Sequence, residues 1–232
     1  MAIVWQLRLK NAAGALVAVF GEWPDLRVER AVNAPDAYAL RLSDDNPKAA
    51  LFALDGQLEG WYKDDDAGIV WHREFEAFCV DKERWTDKDG SRWFLSSGPG
   101  YLDLLGRTLI DTYAGHADSI GSDVGETVIK DFVDKQCGPG AGARARTGLT
   151  IEADAAAGAN WDGQRSNKNV LEACQEIARM TGVQIKVVGT GAATFEFQVD
   201  VATDRTATII FSEAFGNMAE PRLQLRHSQV RN

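Results

Sequence analysis

Two hundred and thirty-two residues (25.3 kDa), 45% hydrophobic and 25% charged, can bury a sizeable core without help from a disulfide or metal, which excludes a disordered or fibrous chain. The balance of 25 Lys and Arg against 34 Asp and Glu, net −9, argues against a nucleic-acid clamp, because affinity for phosphates comes mainly from cationic side chains that release counterions. The longest apolar run is only a few residues and the start, Met-Ala-Ile-Val-Trp-Gln, has neither the basic nor the apolar region of a secretory signal, so no membrane span is expected and synthesis in the cytoplasm is.

The first hundred residues read as strands and turns. Ile3, Trp5, Leu7 and Leu9 fall on one face of a strand and Gln6, Arg8 and Lys10 on the other; Asn11 to Gly14 turns, and Leu16 to Phe20 returns. Arg27 to Val32 and Tyr38 to Leu42 form a second pair around a loop with Asn33, Pro35 and Asp36, and Asn46-Pro47 predicts a short helix over Lys48 to Leu54. Gln57 to Lys63 and Ile69 to Val80 are strands flanking Asp64-Asp65-Asp66-Ala67-Gly68. On the second of these Ile69, Trp71, Phe75, Ala77 and Cys79 share a face broken only by Arg73. Arg84-Trp85 and Arg92-Trp93 flank the turn Asp87-Lys88-Asp89-Gly90. Many short strands with frequent turns predict an antiparallel barrel or sandwich.

From Gly98-Pro99-Gly100 the texture changes to mixed helix and strand, which places the expected boundary between a domain of residues 1–97 and one of 98–232. Ser122 or Asp123 is read as the cap of a helix with Val124, Val128, Phe132, Val133 and Cys137 on one stripe, ended by Gly138-Pro139. A Gly, Ala and Arg-rich stretch to Gly148 reads as a flexible loop. Ser166 is read as the cap of a second helix carrying Val170, Leu171, Cys174, Ile177 and Ala178, ended by Gly182. Val183 to Val188, Thr194 to Val201, Thr208 to Phe211 and Arg222 to Arg226 read as strands. The predicted class is α+β, mainly β: an N-terminal antiparallel β-barrel-like domain followed by an α+β domain.

Candidate constellations are few. His72, Glu74 and Glu76 alternate along one strand, which suits a metal or acid-base pair, but a solvated polar face accounts for them better. Asp64-Asp65-Asp66 and Asp87-Lys88-Asp89-Gly90 lack the spacing of a calcium loop, and Gly138, Gly140 and Gly142 follow a helix with no Gly-Lys-Ser or Gly-Lys-Thr. Asp111, His116, Asp118 and Ser122 lie close in sequence without a Gly-x-Ser-x-Gly elbow. Paired carboxylates for glycoside cleavage stay open, since sequence does not give their separation. Cys79, Cys137 and Cys174 are odd in number and widely spaced, hence read as small buried apolar residues. Of seven tryptophans, Trp5 and Trp71 are expected in the core, and Trp23 and Trp61 on contact surfaces. No residue is expected to be catalytic, and no metal or cofactor to be bound.

The order of segments resembles the tail-hub proteins of long-tailed bacteriophages, also called baseplate-hub or tail-associated proteins. The resemblance is carried by Val4 to Gly14, Tyr38 to Leu42, Asn46-Pro47, Gly100-Tyr-Leu-Asp-Leu-Leu-Gly-Arg-Thr-Leu-Ile110, Glu126-Thr-Val-Ile-Lys-Asp-Phe-Val133, Ser166 to Gly182, and Phe195 to Asn217 with Phe211-Ser212 and Gly216-Asn217. It implies a structural part of the virion tail tip, assembled in the host cytoplasm: a homo-oligomeric ring, trimeric by resemblance, through whose lumen DNA passes. The partners it implies are the distal tail protein, the tape-measure protein and receptor-binding or tail-fibre proteins, with no sequence-specific nucleic-acid binding. A negative chain suits such a channel, since attraction to every phosphate would retain the DNA. Such proteins usually continue with a further β segment, so either a C-terminal part is missing after Asn232 or a partner completes the sheet. The alternative readings are a tail-associated cell-wall hydrolase and a carbohydrate- or receptor-binding module.

Overall fold

The structure, a computed structural model, describes residues 3–64, 68–110, 119–165 and 167–201. The expectations at Asp65, Asp66, Asp111, His116, Asp118, Ser166 and the strands after residue 201 lie outside them. The fold is α+β and mainly β, as the patterning predicts.

Eight strands make the N-terminal part: β1 (Val4–Lys10), β2 (Leu16–Phe20), β3 (Asp25–Glu29), β4 (Ala37–Ser43), β5 (Gly56–Asp64), β6 (Ile69–Cys79), β7 (Asp81–Thr86) and β8 (Arg92–Pro99). They form two antiparallel four-stranded sheets of order β2-β1-β5-β6 and β3-β4-β8-β7. Only Val80 separates β6 from β7, so one chain segment runs from the first sheet into the second. The Val80 amide donates to Ser97 O at 3.0 Å, and Ala77 bridges to Gly100, which ties the two sheets along this side. Among the described residues no closed barrel forms: β2 and β6 are the outer strands of one sheet, β3 and β7 of the other.

Alternating residues of both sheets fill one core, with Leu7, Leu9, Leu40, Leu42 and Leu58 inaccessible to solvent. Pro47–Leu51 is a single 3-10 turn, shorter than the predicted helix, capped by Asn46 Oδ1 accepting from Lys48 N at 3.0 Å. It delivers Phe52 between Phe20 and Phe94, with ring centroids 5.9 and 5.3 Å away. Burying such a ring contributes about 2–3 kcal/mol.

A second core lies beneath α1 (Asp103–Gly106), α2 (Gly125–Gln136) and α3 (Val170–Thr181), against the sheet β10-β13-β12, in which β10 is Leu149–Ile151, β12 Val183–Gly191 and β13 Thr194–Val201. A two-stranded sheet of β9 (Ser119–Val124) and β11 (Asn160–Arg165) joins it. Residues 119–124 are strand, so neither Ser122 nor Asp123 caps α2; the N-cap is Val124, in extended conformation and without a side-chain cap bond. The first amides of α2, Gly125 N and Glu126 N, donate instead to Ala159 O at 3.0 Å and Ala157 O at 3.1 Å, and the Glu126 carboxylate accepts in return from Ala155 N at 3.0 Å and Ala157 N at 2.8 Å. The helix predicted from Ser166 starts instead at Val170, where Asn169 Oδ1 accepts from Leu171 N at 2.8 Å, and it closes on left-handed Gly182. Cys79, Cys137 and Cys174 are free and buried. Burial pushes the Cys137 thiol up to about 11.

Candidate functional site

Strand alternation gives β1, β5 and β6 a second face opposite their core face, carrying Gln6, Arg8, Lys10, Gln57, Glu59, Trp61, Glu76 and Phe78. Such a face ordinarily meets water. Here the second half of the chain covers part of it: Phe78 belongs to the second core, with its ring 4.7 Å from Tyr101 and 5.6 Å from Phe195. Gln57 and Glu59 are consequently buried, 2% and 1% exposed.

Buried polar groups must be paired, and each of these is. Glu59 accepts from Lys10 Nζ at 2.5 Å and from Trp61 Nε1 at 2.9 Å, and Gln57 Oε1 accepts from the Tyr101 hydroxyl at 3.1 Å. Arg73 reaches Glu76 at 2.8 Å and Glu59 at 3.8 Å. The Trp61 ring lies between two guanidinium groups, with Arg8 Cζ 4.2 Å and Arg73 Cζ 5.7 Å from its centroid.

The cluster extends to the edge of β12, the outer strand of its sheet among the described residues. Arg73 Nη2 donates to Gly189 O at 2.8 Å, while Gly189 N donates to both carboxyl oxygens of Glu76 at 3.0 and 3.1 Å. Farther along the same edge, Asn33 Nδ2 donates to Val183 O at 3.2 Å and Ile185 N donates to Asn33 Oδ1 at 2.8 Å. A side-chain amide thus stands in for a neighbouring strand's peptide. Asn33 reaches it from a left-handed backbone (φ 59), a conformation asparagine tolerates better than most residues. Between these attachments lies a cleft of about 420 Å³, lined among others by Arg30, Glu74, Tyr101, Ile185 and Val187.

The predicted trio on β6 does not come together. Phe75 pairs with Gly60 and Arg73 with Trp61, so Glu74 is the extra residue of a β-bulge. Beyond the bulge every side chain changes face. His72 moves to the opposite side from Glu76, its ring edge-on to Tyr62 at 5.2 Å and its Nε2 3.9 Å from Glu74 Oε2, and Arg73, expected on the apolar face, joins the polar one. Trp71 likewise leaves the core face and is exposed, as is Trp5, because β1 runs past the end of the core. Trp61 is half-buried in its guanidinium sandwich, and Trp23 packs against the first core.

Chemically the arrangement grips. Glu59 and Glu76 both serve structural donors, and Glu59 is closed to solvent, so the two do not form an open acid pair. Burial lifts the Glu76 carboxyl to about 7; Arg73 and the Gly189 amide oppose the rise, Glu59 adds to it, and Lys10 lowers it. Asp87 accepts from the indoles of Trp85 and Trp93 at 2.9 and 2.6 Å, a hairpin staple in place of a calcium loop. The stretch read as a flexible loop forms a 3-10 turn at Pro139–Arg144, where Gly140 N donates to Asp134 Oδ1 at 2.8 Å, setting a carboxylate where a phosphate loop needs open amides. Among the described residues no group of three or more His, Cys, Asp or Glu could hold a metal ion, and no helix is long and apolar enough to cross a membrane.

No protein-family model matches the chain, and no curated protein matches it. Solved structures do. A tail protein from Neisseria meningitidis MC58 superposes with a TM-score of 0.50 at 13% identity, over 85% of this chain and 51% of that one. The Escherichia coli c3393 protein, a type VI secretion component described as structurally similar to T4 tail proteins gp27 and gp5, gives 0.41 at 8% identity over 84% and 45%. A Francisella PdpA-VgrG complex gives 0.47 at 10% identity over 95% and 34%. The chain therefore spans about half the length of the first two structures and a third of the last. The likeness to the Neisseria structure identifies the fold as one used by a tail protein.

Proposed function

We propose that this chain is a structural component of a bacteriophage tail tip, forming the hub ring that closes or continues the tail tube and attaches receptor-binding parts, with DNA passing through its lumen. The observation that carries the reading is the fold likeness to the Neisseria tail protein over 85% of the chain. The segment order described above supports it independently, because it arises from the sequence and not from superposition.

In this reading residues 1–97 build the tube-facing ring, residues 98–232 complete the hub, and the ring is a homotrimer in the virion, assembled in the host cytoplasm against the distal tail and tape-measure proteins. Open strand edges give the ring a physical motive. Among the described residues the outer edge of β2 is covered only in part, where Lys48 Nζ donates to Val19 O at 2.6 Å, and Leu16 and Val17 beside it are exposed. The role involves no reaction: the carboxylates nearest to an acid pair are committed to holding two cores together.

Three-dimensional reconstruction of assembled tails tests the assignment. The expected result is a ring of copies around the axis along which DNA passes. A single peripheral copy away from that axis would overturn it.

A further inference from the structure

Three backbone groups of β12 stand unmatched at its outer edge. On β13, Phe195 N donates to Gly148 O at 2.8 Å and Phe197 O accepts from Glu152 N at 3.0 Å, so both residues turn their peptide groups toward β10. Their antiparallel partners on β12, Gly189 and Val187, accordingly turn theirs the opposite way, and Ile185 follows in the same alternation. Asn33 serves Val183 O and Ile185 N, while Glu76 and Arg73 serve Gly189 N and Gly189 O. Among the described residues Ile185 O, Val187 N and Val187 O meet no partner, although Ile185 and Val187 are only 4% and 7% exposed. Backbone groups in such a place need a match. All three belong to residues that line the cleft of about 420 Å³.

We infer that this cleft is a seat for a neutral, extended peptide: a short stretch of a partner chain adds to β12 as a strand between Asn33 and Arg73. Its main chain would supply two amide donors, to Ile185 O and Val187 O, and one carbonyl to accept from Val187 N. From Ile185 to Val187 the open edge measures about 7 Å, which limits the guest to about three residues in register before its ends must turn away.

The walls select for such a guest. The charges that line the cleft are already matched: Arg30 with Asp36 and Glu74, Lys186 with Asp200, and Arg73 with Glu76. A phosphate or a metal ion would find no counter-charge waiting, whereas a peptide main chain finds three complementary groups. Tyr101 and Leu102 form an apolar wall, which favours an apolar side chain on the guest. Seating requires no movement of β12, whose Ile185 and Val187 side chains stay in the second core.

Residue-resolved nuclear magnetic resonance on the full chain tests this, with the Ile177 amide of α3 as reference. In the peptide-free chain the Val187 amide should exchange at least about tenfold faster than the ladder amides of Lys186 and Val188. Addition of N-acetyl-Ala-Val-Ala-amide should shift the Val187 resonance saturably below about 10 mM and slow its exchange, leaving Ile177 unmoved. The same peptide methylated on its internal nitrogens should bind at least about tenfold more weakly. Val187→Pro, which removes an outward amide and no ladder bond, should have a comparable effect. A Val187 amide as protected as its neighbours before peptide is added would mean that the protein fills this edge itself, and would overturn the inference. So would the absence of a saturable shift, or equal binding of the methylated peptide. Should Val187→Pro fail to fold, the comparison of the two peptides decides alone, and no outcome depends on whether the chain forms a ring.

Discussion

Gly14, in the turn between β1 and β2, lies against the backbone of Ala193 at the tip of the β12-β13 hairpin: a Cβ on residue 14 would fall 2.1 Å from the Ala193 nitrogen. Two parts of the chain some 180 residues apart meet main chain to main chain, and a side chain at position 14 would hold them apart.

Gly14→Ala should therefore destabilise the protein by about 2–5 kcal/mol, combining a left-handed φ of +77 with an overpacked contact. Gly68→Ala is the control, since Gly68 has a similar φ of +71 but open space around it; it should cost about 1–2 kcal/mol. Urea unfolding of both variants checks the difference. Equal losses would mean that backbone strain, and not the hairpin contact, explains Gly14.

Glu126 should govern stability toward acid. Burial pushes its carboxyl up, but Lys130 and the amides of Ala155 and Ala157 outweigh burial and hold it below the usual carboxylate range. A depressed carboxyl contributes stability that is present above the unfolded value of about 4.3 and lost as pH falls through the folded one. Glu126→Gln should cost about 2–4 kcal/mol at pH 7, with the gap to the wild type narrowing below about pH 4 in chemical denaturation.

Trp61 should matter more for its N–H and ring than for any exposed surface. Trp61→Phe keeps an aromatic between Arg8 and Arg73 but takes a donor from buried Glu59, for an expected loss of about 1–2 kcal/mol. Trp61→Ala removes both and should cost about 3–5 kcal/mol. A double-mutant cycle with Lys10→Met, the other donor to Glu59, should reveal coupling of at least about 0.5 kcal/mol.

Asp87→Ala should have a small effect, within about 1 kcal/mol, because the two indole bonds it removes are exposed. The visible change should be in near-ultraviolet circular dichroism, as the Trp85 and Trp93 rings lose a shared anchor. An unchanged spectrum would mean that the cross-strand pairing alone orients them.

What the sequence made legible depends on how each residue's partners are distributed. Leu7 and Leu9 answer to a local alternation and lie where it predicts. Residues 119–124 and 160–165 are strands with almost no apolar alternation; Trp161 is the one buried residue of β11, and its role depends on Phe132 from α2, 6.0 Å away. Counting by twos along β6 fails at Glu74, because a bulge is a property of the pairing with β5 and not of β6 alone. Glu59 was the least legible. A glutamate between Leu58 and Gly60 has the pattern of a solvent-facing strand residue, and only the covering second core makes it the centre of the polar seam.

The passage of one segment through Val80 from β6 to β7 has a mechanical meaning. Sheets joined only by side-chain packing can slide over each other under a lateral load, with contacts yielding one at a time. Here a pull on the first sheet reaches the second through covalent bonds, and displacing one against the other requires ladder bonds on both sides of the bend to break together. At the opposite side residues 21–24 link β2 of the first sheet to β3 of the second, again through covalent bonds, but among the described residues no ladder bonds join those two strands.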